Sequence, residues 1–391
     1  VRVLAVGNMY PPQSFGGYEL VWRSAVEHLR GSGHEVRVLT TDYAPHPERP
    51  DGADVHRELR WYWHDHAFPK LGPRRLLALE RHNAATLERH LARLRPDVVS
   101  WWSMGGMSMS LVESVRRTGV RAVGFVHDDW LCYGPDVDHW RRSFGGRKGA
   151  LAPLAERLTG VPATFDLEHA GRWVFVSEST RARALACRPG LAATGIAHSG
   201  IHPAFLDPAP SRPWGWRLLY VGRIDERKGI DTVVDAMAHL PAQARLEIVG
   251  GWDEREEARL AARADDLGLA DRVEFAGQRD RGELLGRYAA CDAVVFPVRW
   301  DEPWGLVPLE AMGRGRPVVA TGRGGSAEYL RDGENCLLFP ADDPRALAAA
   351  LTRLAGDEAL RARLRAGGLE TAPRYTEPRF NAAVEREVAG A

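Results

Sequence analysis

Short apolar runs alternate along the chain with longer stretches in which apolar residues recur every three or four positions. VRVLAVG (1–7), EVRVLTT (35–41), DVVSWW (97–102), RAVGFVH (121–127) and RWVFVS (172–177) have strand length and are mostly apolar, as strands covered on both faces must be. Residues 18–30, 74–94, 107–118, 150–159 and 178–187 carry the helical period between them. PAPSRPWGW (208–216) reads as a linker, and then the alternation restarts. RLLYVG (217–222), RLEIVG (245–250), RVEFAG (272–277), DAVVFPV (292–298), PVVAT (317–321) and CLLFP (336–340) are strands, with helices such as 254–267 and 281–290 between them. Strand–helix alternation predicts an α/β fold with parallel sheets. The restart predicts two doubly wound domains, 1–205 and 206–375, with a last helix at 376–391 crossing back to the first. Residues 46–75 show neither period and carry Trp61, Tyr62, Trp63 and Phe68. They read equally as a binding lip or as a surface insertion folded on its own aromatics.

Composition narrows the class. A chain of 391 residues exceeds one ordinary core. Its 45% hydrophobic and 27% charged residues are those of a soluble globular protein. Zero net charge gives no electrostatic case for nucleic acid or an anionic membrane. No apolar run is long enough to span a membrane, and the opening strand is too short for a signal peptide. The four cysteines, Cys132, Cys187, Cys291 and Cys336, are far apart. They read as buried thiols in a reducing cytoplasm, not as staples or metal ligands. Only three lysines, Lys70, Lys148 and Lys228, occur among the 52 basic residues. That bias suggests a high-GC genome and makes each lysine conspicuous.

Ligands of open α/β sheets bind at the carboxyl ends of strands, and four such loops stand out. In GRIDERKGI (222–230), Arg223, Arg227 and Lys228 lie between two glycines before a helix expected from about Ile230. Basic groups beside a helix start suit a diphosphate, although a lone basic loop is more often a solvated turn. In DEPWGLVPLE (301–310), Pro308 is tolerated only in a first helical turn, so the helix begins near Gly305. The amides of Gly305 and Leu306 then face an anion, with Glu302 before them and Glu310 roughly 7 Å along the axis. Side-chain tilt points Glu310 back toward the same pocket. The plainer reading leaves Glu302 exposed and Glu310 paired locally. In FVHDDW (125–130), His127 ends a strand; a lone histidine is usually a core residue, and Asp128 and Asp129 suit helix caps. Three adjacent residues cannot all turn toward one ion, and no metal site is expected. In SFGGYE (14–19), Gly16 and Gly17 allow a close backbone approach without forming the dinucleotide fingerprint.

Together these stretches resemble the retaining glycosyltransferases of family 4, which have the GT-B fold. The resemblance covers nearly the whole chain. Its most specific part is E-x7-E at Glu302 and Glu310, within P-x-x-x-x-E-P-x-G-L-x-x-L-E from Pro297. The G-R-x-x-x-x-K-G loop at 222–229, GG-x-E at 16–19, His127, VSEST (176–180), HSGIHPAF (198–205) and GGSAEYLRDGENCLLF (324–339) add to it. The resemblance implies two Rossmann-like domains facing across a cleft, with the nucleotide sugar mainly on the second and the acceptor mainly on the first. It implies that Arg223 and Lys228 bind the donor diphosphate and that Glu310 holds the ribose. Glu302 would bind hydroxyls of the transferred sugar, beside the amides of Trp304, Gly305 and Leu306. His127 would face the sugar, Gly17 would approach phosphates or acceptor, and Gln278 and Arg279 would lie near the base. Two departures stand out: Ser199-Gly200-Ile201-His202 replaces the usual N-G-x-D, and Cys336 replaces a turn glycine.

The reaction expected is sugar transfer with retention by a front-face route, without metal or cofactor, in a cytoplasmic bacterial enzyme. The acceptor is a small-molecule natural product, a saccharide or a lipid-linked molecule. The aromatics of 61–68, with Trp130, Tyr133, Trp140 and Phe144, favour a flat or apolar one. Nucleic acid is not a partner; peripheral membrane contact stays open. The alternatives are a nucleotide-sugar epimerase of the same fold and a non-catalytic nucleotide-sugar-binding module. A Rossmann dehydrogenase lacks its fingerprint.

Overall fold

The computed structural model describes residues 1–13, 16–43, 54–63, 67–251 and 253–390. Parts of 46–75, with Ser14 and Phe15 of the GG-x-E loop, lie outside the described residues. The chain divides into two compact units, Val1–His198 with Phe380–Ala391, and Ser199–Arg379.

The first unit holds β1 (Arg2–Val6), β2 (Glu35–Thr41), β3 (Val55–Leu59), β4 (Val98–Trp101), β5 (Arg121–Val126), β6 (Arg172–Phe175) and β7 (Thr194–Ile196). They form one sheet in the order β3-β2-β1-β4-β5-β6-β7, parallel at every pairing. The expected strands are present; β3 and β7, which the apolar pattern did not indicate, extend the two edges. Leu4, Val6, Leu39, Val99, Val126, Trp173 and Phe175 are buried in its core. Phe380–Ala391 belongs to this unit. Its Glu385 carboxylate is held by His28 at 2.8 Å and His34 at 3.2 Å, and Arg172 reaches Glu387 at 2.6 Å.

The second unit holds β8 (Arg217–Val221), β9 (Arg245–Val249), β10 (Val273–Gly277), β11 (Ala293–Phe296), β12 (Val318–Ala320) and β13 (Leu337–Leu338). Their order is β10-β9-β8-β11-β12-β13, again parallel. Leu218, Tyr220, Ile248, Val295 and Val319 pack with Ile230, Val233, Leu347 and Leu351 of the covering helices. Residues 199–205, expected at the end of the first domain, pack with this unit instead. Ser199 O accepts from Trp304 Nε1 at 2.8 Å, and Phe205 lies edge-on to Tyr288 at 5.8 Å.

Both sheets are doubly wound, with the strand order reversing between β1 and β4 in one and between β8 and β11 in the other. Ligands of such sheets sit outside the strand ends at those reversals. The loops after β8 and β11 carry Lys228 and Glu302.

The cysteines depart from expectation. Cys132 and Cys187 form a disulfide across a sequence separation of 55. Each lies on one of the helices Trp130–Val137 and Glu178–Cys187, which the fold packs together, so distance along the chain misleads. Cys291 and Cys336 are buried thiols, as expected.

Candidate functional site

In the second unit the loop after β8 makes a short 3-10 turn, Glu226–Lys228, ending at Gly229 with φ +68°. A Cβ on Gly229 would stand 2.2 Å from Pro297 O, so only glycine lets this loop close on the loop after β11. Arg299 ties the two together: its amide donates to Arg227 O at 3.0 Å, and its guanidinium reaches Glu226 O at 3.0 Å, Asp231 at 2.6 Å and Asp342 at 2.8 Å.

That juncture brings Lys228 Nζ to 2.7 Å from Glu302 Oε2. Both side chains are nearly buried, at 11% and 12% exposure, where an ion pair is screened far less than at the surface. Trp300, which the sequence reading did not single out, completes the group. Its indole N–H donates to the same Oε2 at 2.8 Å. Its ring lies 4.6 Å from the Arg227 guanidinium and 5.5 Å from Lys228 Nζ, within cation–π range. Arg223 lies 3.8 Å from the Asp225 carboxylate and Arg227 lies 2.8 Å from it. Burial pushes Asp225 up, but the hydrogen bond and charge of Arg227, with the charge of Arg223, outweigh it and hold the carboxyl below its usual range. Arg223 and Lys228 therefore each face an acid, and an incoming diphosphate would compete with those acids for them.

The helix after β11 runs Leu306–Gly313 behind Gly305, as Pro308 required. Gly305 has φ +86°, and a Cβ there would press on the Phe296 ring at 3.0 Å. The first amides of this helix have no intrahelical carbonyl to bond. Glu310, one turn inside, accepts from Tyr288 OH at 2.7 Å. Burial raises its carboxyl above the usual range, against the hydrogen bond from Tyr288 and the charge of Arg281. The two glutamates thus have separate partners: Glu302 has Lys228 and Trp300, and Glu310 has Tyr288. The Trp304 ring is buried against Tyr329 and Tyr375, 5.1 Å from each. Gln278 and Arg279 follow β10, with Arg279 Nε 3.8 Å from Glu283. His202, in the departure from N-G-x-D, accepts from Ala204 N at 3.2 Å and caps the turn Pro203–Leu206.

In the first unit, His127 stands at the end of β5 among aromatics. Its ring lies 4.9 Å from Tyr18, 6.2 Å from Trp102 and 5.6 Å from Phe380. Burial pulls its pKa down to about 4, against a weak contact with Phe125 O, so the imidazole is neutral near pH 7. Asp128 is pushed up to about 6 by burial, although it accepts from Trp130 N at 3.2 Å and Tyr133 OH at 3.0 Å. Asp129 is engaged by Arg183 at 2.9 Å. The two aspartates turn to different partners. Gly17 opens the helix Gly17–Gly31, where Gly16 N donates to Glu19 at 3.2 Å.

The aromatics expected at the acceptor divide between buried and exposed positions, Tyr133 among the exposed. Trp130 and Trp140 are buried, the first edge-on to Trp173 at 5.4 Å, the second donating to Pro162 O at 2.8 Å. Tyr62 is buried, whereas Trp61 and Trp63 pack on each other at 4.7 Å and on Tyr43. Phe68 is exposed, at 39%. Among the described residues of the insertion, Trp61 Nε1 donates to Gly105 O at 2.9 Å and Tyr62 N to Gly106 O at 3.0 Å, outside it. No helix among the described residues is long and apolar enough to cross a membrane.

Two family models match this chain: glycosyltransferase family 4 over residues 15–204 and glycosyl transferases group 1 over residues 211–371. The chain belongs to the family 4 glycosyltransferases. It is similar to the D-inositol 3-phosphate glycosyltransferase of Xylanimonas cellulosilytica, 38% identical over 160 residues. That match covers 40% of this chain and only 38% of the relative. Among solved structures it is similar to sucrose-phosphate synthase from Thermosynechococcus elongatus, with TM-score 0.75 at 22% identity over 100% of this chain and 98% of that one. The Anabaena protein HepE in complex with UDP-glucose gives TM-score 0.70 at 19% identity, covering 100% of both chains. The fold is GT-B.

Proposed function

We propose that this family 4 member is a retaining glycosyltransferase that moves a sugar from a nucleoside diphosphate to an acceptor hydroxyl. The observation that carries the reading is the Lys228–Glu302 pair, held under Trp300 in the loops that follow the two reversal strands. A cation poised beside a helix start serves a departing diphosphate. An acid poised beside that cation serves the hydroxyls of the sugar it leaves. HepE, solved with UDP-glucose, shares the fold.

In this reading Lys228 and Arg223 leave their acid partners for the diphosphate oxygens, and the first amides of Leu306–Gly313 take the remaining charge. Glu310 holds the ribose, Gln278 and Arg279 line the base, and Glu302 binds the transferred sugar. Neutral His127 serves the sugar as a hydrogen-bonding group and not as a cation; Gly17 gives close backbone approach. The bond from the anomeric carbon to the diphosphate breaks as the acceptor oxygen bonds to the same face, and the acceptor proton passes to a diphosphate oxygen. These groups supply the charge stabilisation without a metal. The acceptor is a natural product, a saccharide or a lipid-linked molecule. The reading is tested by NMR of the product's anomeric configuration: retention supports it, and inversion overturns the front-face route. Epimerisation of donor without acceptor would replace it with the epimerase reading.

A further inference from the structure

A second group of ligand-type side chains lies in the first unit, on the edge strand β3. His56 and Glu58 are two residues apart on that strand and so share one face. The helix Pro73–Leu94 packs on β3 along a polar line of His82, Asn83, Arg89 and His90. His82 Nε2 lies 2.8 Å from Glu58 O, and Asn83 bonds both the amide and the carbonyl of Arg60, at 2.7 and 2.9 Å. This packing delivers His90, which is 3% exposed, to the His56–Glu58 face.

His56 Nδ1 lies 3.2 Å from Glu58 Oε1, and His90 Nε2 lies 3.4 Å from Glu58 Oε2. The ligand atoms of the three residues all lie within 4.8 Å of one another. Tetrahedral coordination with bonds of about 2.0–2.1 Å requires donor atoms roughly 3.3 Å apart; each imidazole stands near that separation from one carboxylate oxygen, His56 from Oε1 and His90 from Oε2, so a turn of the Glu58 carboxylate would complete the set. Among the described residues no other cluster of three His, Cys, Asp or Glu side chains meets this criterion.

We propose that His56, Glu58 and His90 form a binding site for one divalent late transition ion of the Zn2+ class, tying the edge strand β3 to the helix behind it. Two imidazoles and one carboxylate select such an ion over Mg2+ or Ca2+, which take oxygen ligands. The Arg89 guanidinium, 2.7 Å from Glu58 Oε2, competes with the ion for that oxygen and would have to turn aside when it binds. Three protein ligands leave the fourth position to water, on the side where His56 and Glu58 are 29% and 38% exposed. Chain leaving β3 enters Trp61 and Trp63 directly, so the ion would fix the base of that aromatic insertion. The site shares no residue with the proposed donor site and stands or falls independently of it.

The test uses tag-free full-length protein stripped with EDTA and titrated with Co2+, followed by visible ligand-field absorption. The expected result is the strong band of a four-coordinate ion saturating at one Co2+ per chain and bleached by one equivalent of Zn2+. H56N and E58Q, both at partly exposed positions, are expected to weaken Co2+ binding by more than about 10–100-fold, the cost of losing even an outer-shell group. R89A, which removes the competing guanidinium, is expected to keep or tighten it. Absence of the band overturns the proposal, and so does a band that survives unchanged in both H56N and E58Q. A thiolate charge-transfer band, which would place the ion on cysteine, overturns it as well.

Discussion

Lys228 Nζ lies 2.7 Å from Glu302 Oε2, across a sequence separation of 74 residues. Each is the other's partner, and the proposed function turns on what happens when a diphosphate and a sugar separate them.

Glu302→Gln keeps the shape of the side chain and its contact with Trp300 in altered form, so the fold is expected to persist. A hydrogen bond to a charged group is worth about 1.5–3 kcal/mol, so turnover should fall roughly 10–100-fold. Steady-state kinetics with the cognate donor, alongside a melting curve, check this. Near-normal turnover would remove Glu302 from the sugar site.

Trp300→Phe keeps an aromatic face for Arg227 and Lys228 but loses the N–H bond to Glu302. It should raise the KM for donor with little change in Tm. Trp300→Ala loses the face too, forfeiting about a further 0.5–2 kcal/mol of cation–π contact. A donor KM series over wild type, Phe and Ala checks the ordering, and equal values would make Trp300 mere packing.

Tyr288→Phe removes the donor to Glu310, whose carboxyl burial already raises. A folded-state pKa above the unfolded one favours the protonated acid, so stability is greatest below the ordinary Glu range and declines as pH rises through the folded pKa. The variant should deepen that decline. Its destabilisation relative to wild type, about 1–3 kcal/mol for an unpaired buried group, should be largest near neutral pH and shrink toward acid. Urea midpoints of both proteins across pH measure it.

His127 shows the opposite sign. Its folded pKa, about 4, lies below the ordinary 6.5, so stability is full above about 6.5 and is lost as pH falls toward the folded value. His127→Gln, which cannot titrate, should flatten the stability slope across that window. NMR titration should show the wild-type imidazole neutral down to the lower end of it. An inflection near 6.5 would contradict the neutral state.

The strand-end loops were legible because parallel strands buried on both faces announce themselves as apolar runs, and Pro308 marks a helix start by its missing amide. Edge strands do not: β3 reads VHREL and is only half-covered, while β7 spans three residues. Trp300 left no signal although it stands only two residues before Glu302, because spacing does not show that a loop turns both side chains to one point. The bond between Cys132 and Cys187 was hidden because it depends on two distant helices packing together. Trp130 and Trp140 misled because a loop rich in tryptophan resembles a binding face whether its rings point out or in.

Everything proposed for the second unit rests on Lys228 and Glu302 forming a nucleotide-sugar site. A calorimetric panel of UDP-, GDP-, ADP- and TDP-sugars against wild type and Lys228→Gln tests it most directly. One donor class should bind wild type and lose about 10–100-fold in affinity in the variant, the worth of a charge-assisted contact. Binding of no nucleotide sugar, or equal binding to both proteins, would contradict it.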